Sequence, residues 1–112
     1  MIGRTDGGLD GNSNAGGADL KSDIFLIKYN TSGTKQWTSQ MGSSSYDSTW
    51  GIAVDNSSNI YVTGYTAGVL DWNSTFGNLD IFLVKYNTSG TKQWSRTMGT
   101  SSNDLSYAVT VD

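Results

Sequence analysis

An all-β fold, two four-stranded antiparallel meanders laid side by side, is predicted by three observations. First, a twenty-residue segment occurs twice. Asp23 to Gly42 reads DIFLIKYNTSGTKQWTSQMG and Asp80 to Gly99 reads DIFLVKYNTSGTKQWSRTMG, identical at sixteen of twenty positions and 57 residues apart. Second, no stretch sustains a helical apolar period, while Gly, Asn and Ser clusters punctuate the chain every several residues, the pattern of short strands. Third, the repeated core is apolar on consecutive residues, which buries a strand on both faces. A unit this short cannot hide its own apolar face, so its copies stack on one another.

Four strand types recur, named A to D from the inside of a unit outward. Ile2 to Thr5 (IGRT) resembles the end of a B strand. Asp23 to Asn30 and Asp80 to Asn87 are C strands, and Lys35 to Met41 and Lys92 to Met98 are D strands that alternate polar and bulky residues. Ser48 to Asp55 is strand A, echoed by Leu105 to Asp112, and Asn59 to Thr66 is strand B. The C-to-D connection NTSGT holds Gly33 or Gly90, either of which tolerates a positive φ. The A-to-B connection DNSSN is rich in residues that bond their own backbone. Both are hairpin signals.

A four-stranded meander that is apolar on both faces and repeated in tandem is the blade of a β-propeller. Residues 1–112 then form a single unit of two blades, cut so that part of a B strand opens it and an A strand closes it. Each end strand needs a partner from elsewhere. Exposed end faces, expected to carry residues such as Ile24, Leu26, Phe82 and Val84, represent on the order of 10 kcal/mol of unburied apolar surface. That is comparable with the stability of a whole domain. The expectation is a cyclic homo-oligomer closed by strand exchange, a trimer of six blades or a tetramer of eight, because a closed ring covers every face.

Composition removes several function classes. There is no Cys, His or Glu among the 112 residues, which excludes thiol nucleophiles, His-based triads and common zinc sites. Seven scattered Lys and Arg and a net charge of −3 argue against a phosphate-tracking surface, so no nucleic-acid partner is expected. No apolar run reaches membrane-spanning length and the start lacks a signal-peptide core. Of the ten Asp residues, six form repeat-equivalent pairs: Asp23 with Asp80, Asp47 with Asp104, and Asp55 with Asp112. Their repetition points to structure, and no enzyme activity or cofactor is expected.

The string DIFLIKYNTSGTKQW, followed by YDSTWGIAVDNSSNIYVTGYT, resembles the SBBP-type β-propeller repeat of bacterial surface and secreted proteins. The features that carry the resemblance are the Asp-x-Phe-Leu-x-Lys-Tyr strand, the Gly and Trp of the next hairpin, the Asp ahead of Gly-Ile-Ala-Val-Asp, and Asn-Ile-Tyr-Val-Thr-Gly. It implies a propeller and an extracellular or cell-surface setting for the parent protein, and no catalytic activity. In architecture alone the chain is similar to small two-blade lectins that trimerise. The near-identical hairpins also fit an excised or designed fragment.

Function is expected on the ring face that bears the B-to-C and D-to-A loops, where the irregular segments gather. Trp72, flanked by Asp71 and Asn73 and matched by Gly11 in the first blade, offers an indole beside polar groups, a combination suited to a sugar ring. Trp50 and Tyr107 are equivalent to each other and either line the channel mouth or pack between blades. Trp37 and Trp94 are expected to pack the outer edge of each blade. Asp47 and Asp104 are expected to bond amides of the D-to-A turn. Asp10, Asn12 and Asn14 have the spacing that begins a calcium loop, but Ala15 and Lys21 stand where it needs Gly and Glu, so no metal is assigned. The expected function is a non-enzymatic, self-assembling scaffold or interaction module; the alternative is a multivalent lectin.

Overall fold

The structure, a computed structural model, describes residues 1–112. Seven strands follow one another: β1 (Ile2–Thr5), β2 (Asp23–Tyr29), β3 (Lys35–Met41), β4 (Asp47–Val54), β5 (Ile60–Thr66), β6 (Asp80–Tyr86) and β7 (Lys92–Met98). A 3-10 turn at Gly17–Asp19 interrupts the connection from β1 to β2. The strands form two antiparallel sheets, β1-β2-β3 and β4-β5-β6-β7. These are the B-C-D and A-B-C-D orders of propeller blades. The two sheets stack, and the shortest dimension of the molecule is 20 Å, as expected for two layers about 10 Å apart.

The turns repeat atom for atom. Asn30 accepts from the amides of Ser32 and Thr34 at 3.0 and 2.9 Å through its side chain, and Asn87 does the same for Ser89 and Thr91. Gly33 and Gly90 take φ of 78° and 80°, the left-handed conformation in which a Cβ is strained. In the A-to-B hairpin, Asp55 accepts from Ser57 and Asn59. There Ser58 takes the left-handed position, at φ 63°. The hydrogen bonds from Asn59 and Ser57 hold the Asp55 carboxyl below its usual pKa.

The core lies between the sheets. Ile24 and Leu26 of β2 face Ile60, Val62, Phe82, Val84 and Tyr86 of the second sheet, joined by Leu70 from the loop between β5 and β6. This corrects the expected location of the unburied faces. Ile24, Leu26, Phe82 and Val84 are not on the ends of the stack but are 0–4% exposed at its centre. The outward-facing residues are the alternate ones: Phe25, Ile27 and Tyr29 on the first sheet, and Ile81, Leu83 and Lys85 on the second. A consecutive apolar run shows that both parities are covered, but not which parity faces the next blade.

A second correction concerns residues 105–112. They form no ladder within the chain, because the B-type strand that would pair with them is not in their blade. The preceding junction does repeat. The amide of Asp104 donates to Leu79 O at 2.8 Å, as that of Asp47 donates to Ser22 O at 2.8 Å. The segment runs against β4, where the Ala108 Cα lies 2.9 Å from the position a Cβ on Gly51 would take. The Thr63 hydroxyl donates to Ser106 Oγ at 3.0 Å.

Gly64 sits opposite the bulge at Thr49/Gly51 that leaves Trp50 unpaired in β4. A Cβ there would lie 2.0 Å from Ser48 O and 2.7 Å from Thr49 Cα, both backbone atoms that cannot rotate away. Gly64→Ala is expected to destabilise the chain by about 1–3 kcal/mol, read from the urea midpoint with the slope unchanged.

Candidate functional site

The two B-to-C loops begin with one turn in two versions, Leu9-Asp10-Gly11-Asn12 and Leu70-Asp71-Trp72-Asn73. In each, the Asn amide donates to the Leu carbonyl at 3.0 Å. The central φ values are 52° and 80° at Asp10 and Gly11, and 50° and 64° at Asp71 and Trp72. Two consecutive positive φ angles define a type I′ turn, whose second position favours Gly. The first blade places Gly11 there, whereas the second blade places Trp72.

Each turn is pinned from below. Asp10 bonds Lys35 at 2.6 Å and also Thr38, contacts that lower its pKa, Lys35 foremost. Asp71 pairs in the same way with Lys92. The Asn73 side chain donates to Leu70 O at 2.8 Å and to Ser95 Oγ at 3.0 Å. Leu70, 1% exposed, anchors the turn in the core between the blades. The indole of Trp72 is 98% exposed. Of the expected trio, Asp71 and Asn73 therefore hold the turn through their side-chain bonds, and the Trp72 side chain makes no such bond and stands in solvent.

Beside Trp72 lies a cavity of about 350 Å³ lined by Gly42, Ser43, Ser44, Val69 and Asp71. Its base is the D-to-A turn. The Asp47 carboxylate accepts from the Ser43 amide at 2.6 Å and from the Ser43 hydroxyl at 3.0 Å. The second turn repeats the bond, Thr100 amide to Asp104, at 2.7 Å. Burial, aided by the charge of nearby Asp23, pushes the Asp47 carboxyl up to about 6 against the hydrogen bonds that oppose it. Gly42 leaves room for this pair of carboxylates, since a Cβ there would lie 2.2 Å from Asp23 Oδ1 and 3.0 Å from Asp47 Oδ2.

Trp50 and Tyr107 stack at 4.5 Å between ring centres with planes 10° apart, and Tyr65 meets Trp50 edge-on at 5.5 Å. They form an aromatic group of their own, on β4 and the segment beside it, and do not line the cavity at Trp72. Trp37 packs between the blades instead of at an outer edge, its Nε1 donating to Thr88 O at 3.2 Å. Asp10, Asn12 and Asn14 diverge to separate partners, Lys35, Leu9 O and Lys21 O.

Sequence reasoning did not find Leu70, Lys92 and Ser95 as supports of the turn. The twin strings LDGNS and LDWNS were the available signal, and they are offset from the 57-residue period of the hairpins because the loops differ in length.

Residues 36–71 match the β-propeller repeat family SBBP. An uncharacterised WD repeat-containing protein of Acanthamoeba polyphaga mimivirus is 29% identical over 107 residues, covering 80% of this chain. The chain spans only 8% of that relative's length. Both matches are to repeat proteins, and the family model is that of a β-propeller repeat. The matched stretch begins in β3, crosses β4 and β5 from one sheet to the next and stops inside the turn that carries Trp72; over these residues the chain matches an SBBP-type β-propeller repeat.

Proposed function

We propose that the chain is a non-enzymatic, self-assembling propeller module whose copies associate head to tail in a closed ring and present the irregular loops to partners. The observation that carries this reading is the unequal burial of repeat twins. Tyr86 is 2% exposed between the blades, whereas its twin Tyr29 is 46% exposed on the free face of the first sheet. The two free faces are the two halves of an interface the chain already makes once.

Inside the chain, Trp37 Nε1 and Lys28 Nζ donate to Thr88 O at 3.2 and 3.4 Å, and Gly90 leaves room for the Trp37 ring. Their twins Trp94 and Lys85 stand on the free face of the second sheet, and Thr31 and Gly33 on the hairpin of the first. In a lone chain Arg96 lies over the Trp94 ring at 5.6 Å and Lys85 over Tyr61 at 5.4 Å. A second copy supplies Thr31 to Trp94 and sets Tyr29 against the second sheet. It also offers β1, which pairs with β2 on one side only, to residues 104–109. Transferring the β4–β5 register puts Asp104 opposite Thr5, Leu105 opposite Arg4, Ser106 opposite Gly3 and Ala108 opposite Ile2, with Tyr107 in the bulge.

The test is mass in solution by light scattering on the 112-residue polypeptide. The expected value is three or four times 12.0 kDa. A well-dispersed species at 12.0 kDa overturns the ring. A mass that grows with concentration indicates open, non-closing association and overturns closure alone.

A further inference from the structure

We infer that Trp72 is the platform of a binding site for neutral carbohydrate, one site per chain, on the loop face of the molecule. Trp72 occupies a backbone conformation that its side chain disfavours. Trp72 holds φ 64°, where a bulky side chain is strained and Gly is the natural choice. The same turn in the first blade uses Gly11 at φ 80° and keeps the same hydrogen bond and the same Asp–Lys pairing. The fold therefore needs no indole there. Strain of this kind persists where surrounding contacts over-determine the backbone, and the Asp71–Lys92 pair and the Asn73 bonds do so.

What the turn gains is an exposed indole. Trp72 is 98% exposed and Val69, on the same cavity wall, is 53% exposed. Ring closure does not account for this. Leu70, at the start of the same turn, is buried in the core shared with β2, and the cavity beside Trp72 is walled by Ala15, Gly42, Ser43 and Ser44 of the same chain. The neighbouring blade on that side is thus already in place, and a second copy docks on the other faces. Gly11 occupies the corresponding turn of the first blade, so a ring carries one indole for every two blades.

The chemistry of the cavity selects the ligand class. The apolar wall is an indole face, which stacks on the C–H face of a pyranose. Its polar lining comes from Ser43, Ser44 and Asp71 beside Gly42, residue types suited to sugar hydroxyls. Lys92, which reaches the turn, is neutralised by Asp71, and no Lys or Arg is among the lining residues to attract a phosphate or carboxylate. The volume of about 350 Å³ lies within the range of small-ligand sites. Identical sites on one face of an assembly would convert weak single-site affinity into avidity.

The experiment uses fluorescently labelled wild type and Trp72→Gly on a printed array holding neutral and acidic glycans, with mass and melting temperature measured in parallel. Trp72→Gly restores the residue the twin turn uses, so it is expected to keep the wild-type mass and melt at the same or a higher temperature. It should lose the neutral-glycan signal at least tenfold. The inference is overturned by a silent wild type, by a signal confined to acidic glycans, or by undiminished binding in the variant. It is equally overturned if the variant melts earlier or changes mass, because the indole would then be packing in the assembly. The mass readings test assembly separately from binding.

Discussion

Phe82→Ala is expected to destabilise the chain by about 3–5 kcal/mol, while Phe25→Ala, the same substitution at the same place in the repeat, leaves a lone chain folded and releases assembled copies from one another. Both rings occupy the third position of a DIFL strand. Phe82 is 0% exposed in the core between the sheets, and its removal leaves a cavity that β2, β5 and Leu70 cannot collapse into without breaking register. A loss of that size is a large fraction of the stability of a domain this small. Phe25 lies on the outward face, over Gly3, where the ring comes within 2.6 Å of the position a Cβ would take. In a lone chain that ring is only partly covered, so in the proposed ring its loss would be felt chiefly at the contact with a second copy. Urea denaturation followed by far-UV circular dichroism gives the first quantity and light scattering the second. Equal stability losses with unchanged mass would mean that the two faces are not halves of one interface.

A second large effect comes from Asp47. Its carboxyl is buried, 1% exposed, and pushed up to about 6 from 3.8. A raised carboxylate pKa means that the folded state holds the proton more tightly than the unfolded chain does. The stability so gained is fully present below the unfolded pKa and is lost as pH rises from about 4 to about 6, by on the order of 3 kcal/mol. Asp47→Asn keeps an acceptor for the Ser43 amide and removes the titration. It is expected to flatten the stability profile across that interval and to be the more stable protein above pH 6. Asp10 and Asp55, both with lowered pKa values, act in the opposite sense and at lower pH, so the windows do not overlap. A melting profile that keeps its slope between pH 4 and 6 in Asp47→Asn would show that another group carries it.

The strands were legible because their signals are local. Alternation, the NTSGT and DNSSN turns and the doubly apolar DIFL core each report on a few neighbouring residues, and the observed strands β2 to β7 agree with the expected positions within one or two residues. What sequence did not reveal depends on neighbours. The parity of strand C that faces the next blade follows from stacking, so Ile24, Leu26, Phe82 and Val84 were assigned to the wrong surface. Leu105–Asp112 reads as strongly β as its twin, yet a strand exists only opposite a partner. At the candidate site, the exposure of Trp72 was legible as a possibility, because Gly11 stood in the twin turn. The engagement of Asp71 and Asn73 with Lys92 and Ser95 was not, since those partners lie 21 and 22 residues away.

The near-identity of the two hairpins sets the folding chain a sorting problem. While it collapses, the β2–β3 hairpin and the β6–β7 hairpin offer the β5 edge almost the same surface, and mistaken docking is a known failure of repeat chains. Only four positions tell them apart: Ile27 from Val84, Thr38 from Ser95, Ser39 from Arg96, and Gln40 from Thr97. Gln40 clamps the first loop through Leu9, Gly7 and Asp23, and Ser95 receives Asn73 of the second. These few side chains act as address labels, directing each hairpin to its own loop.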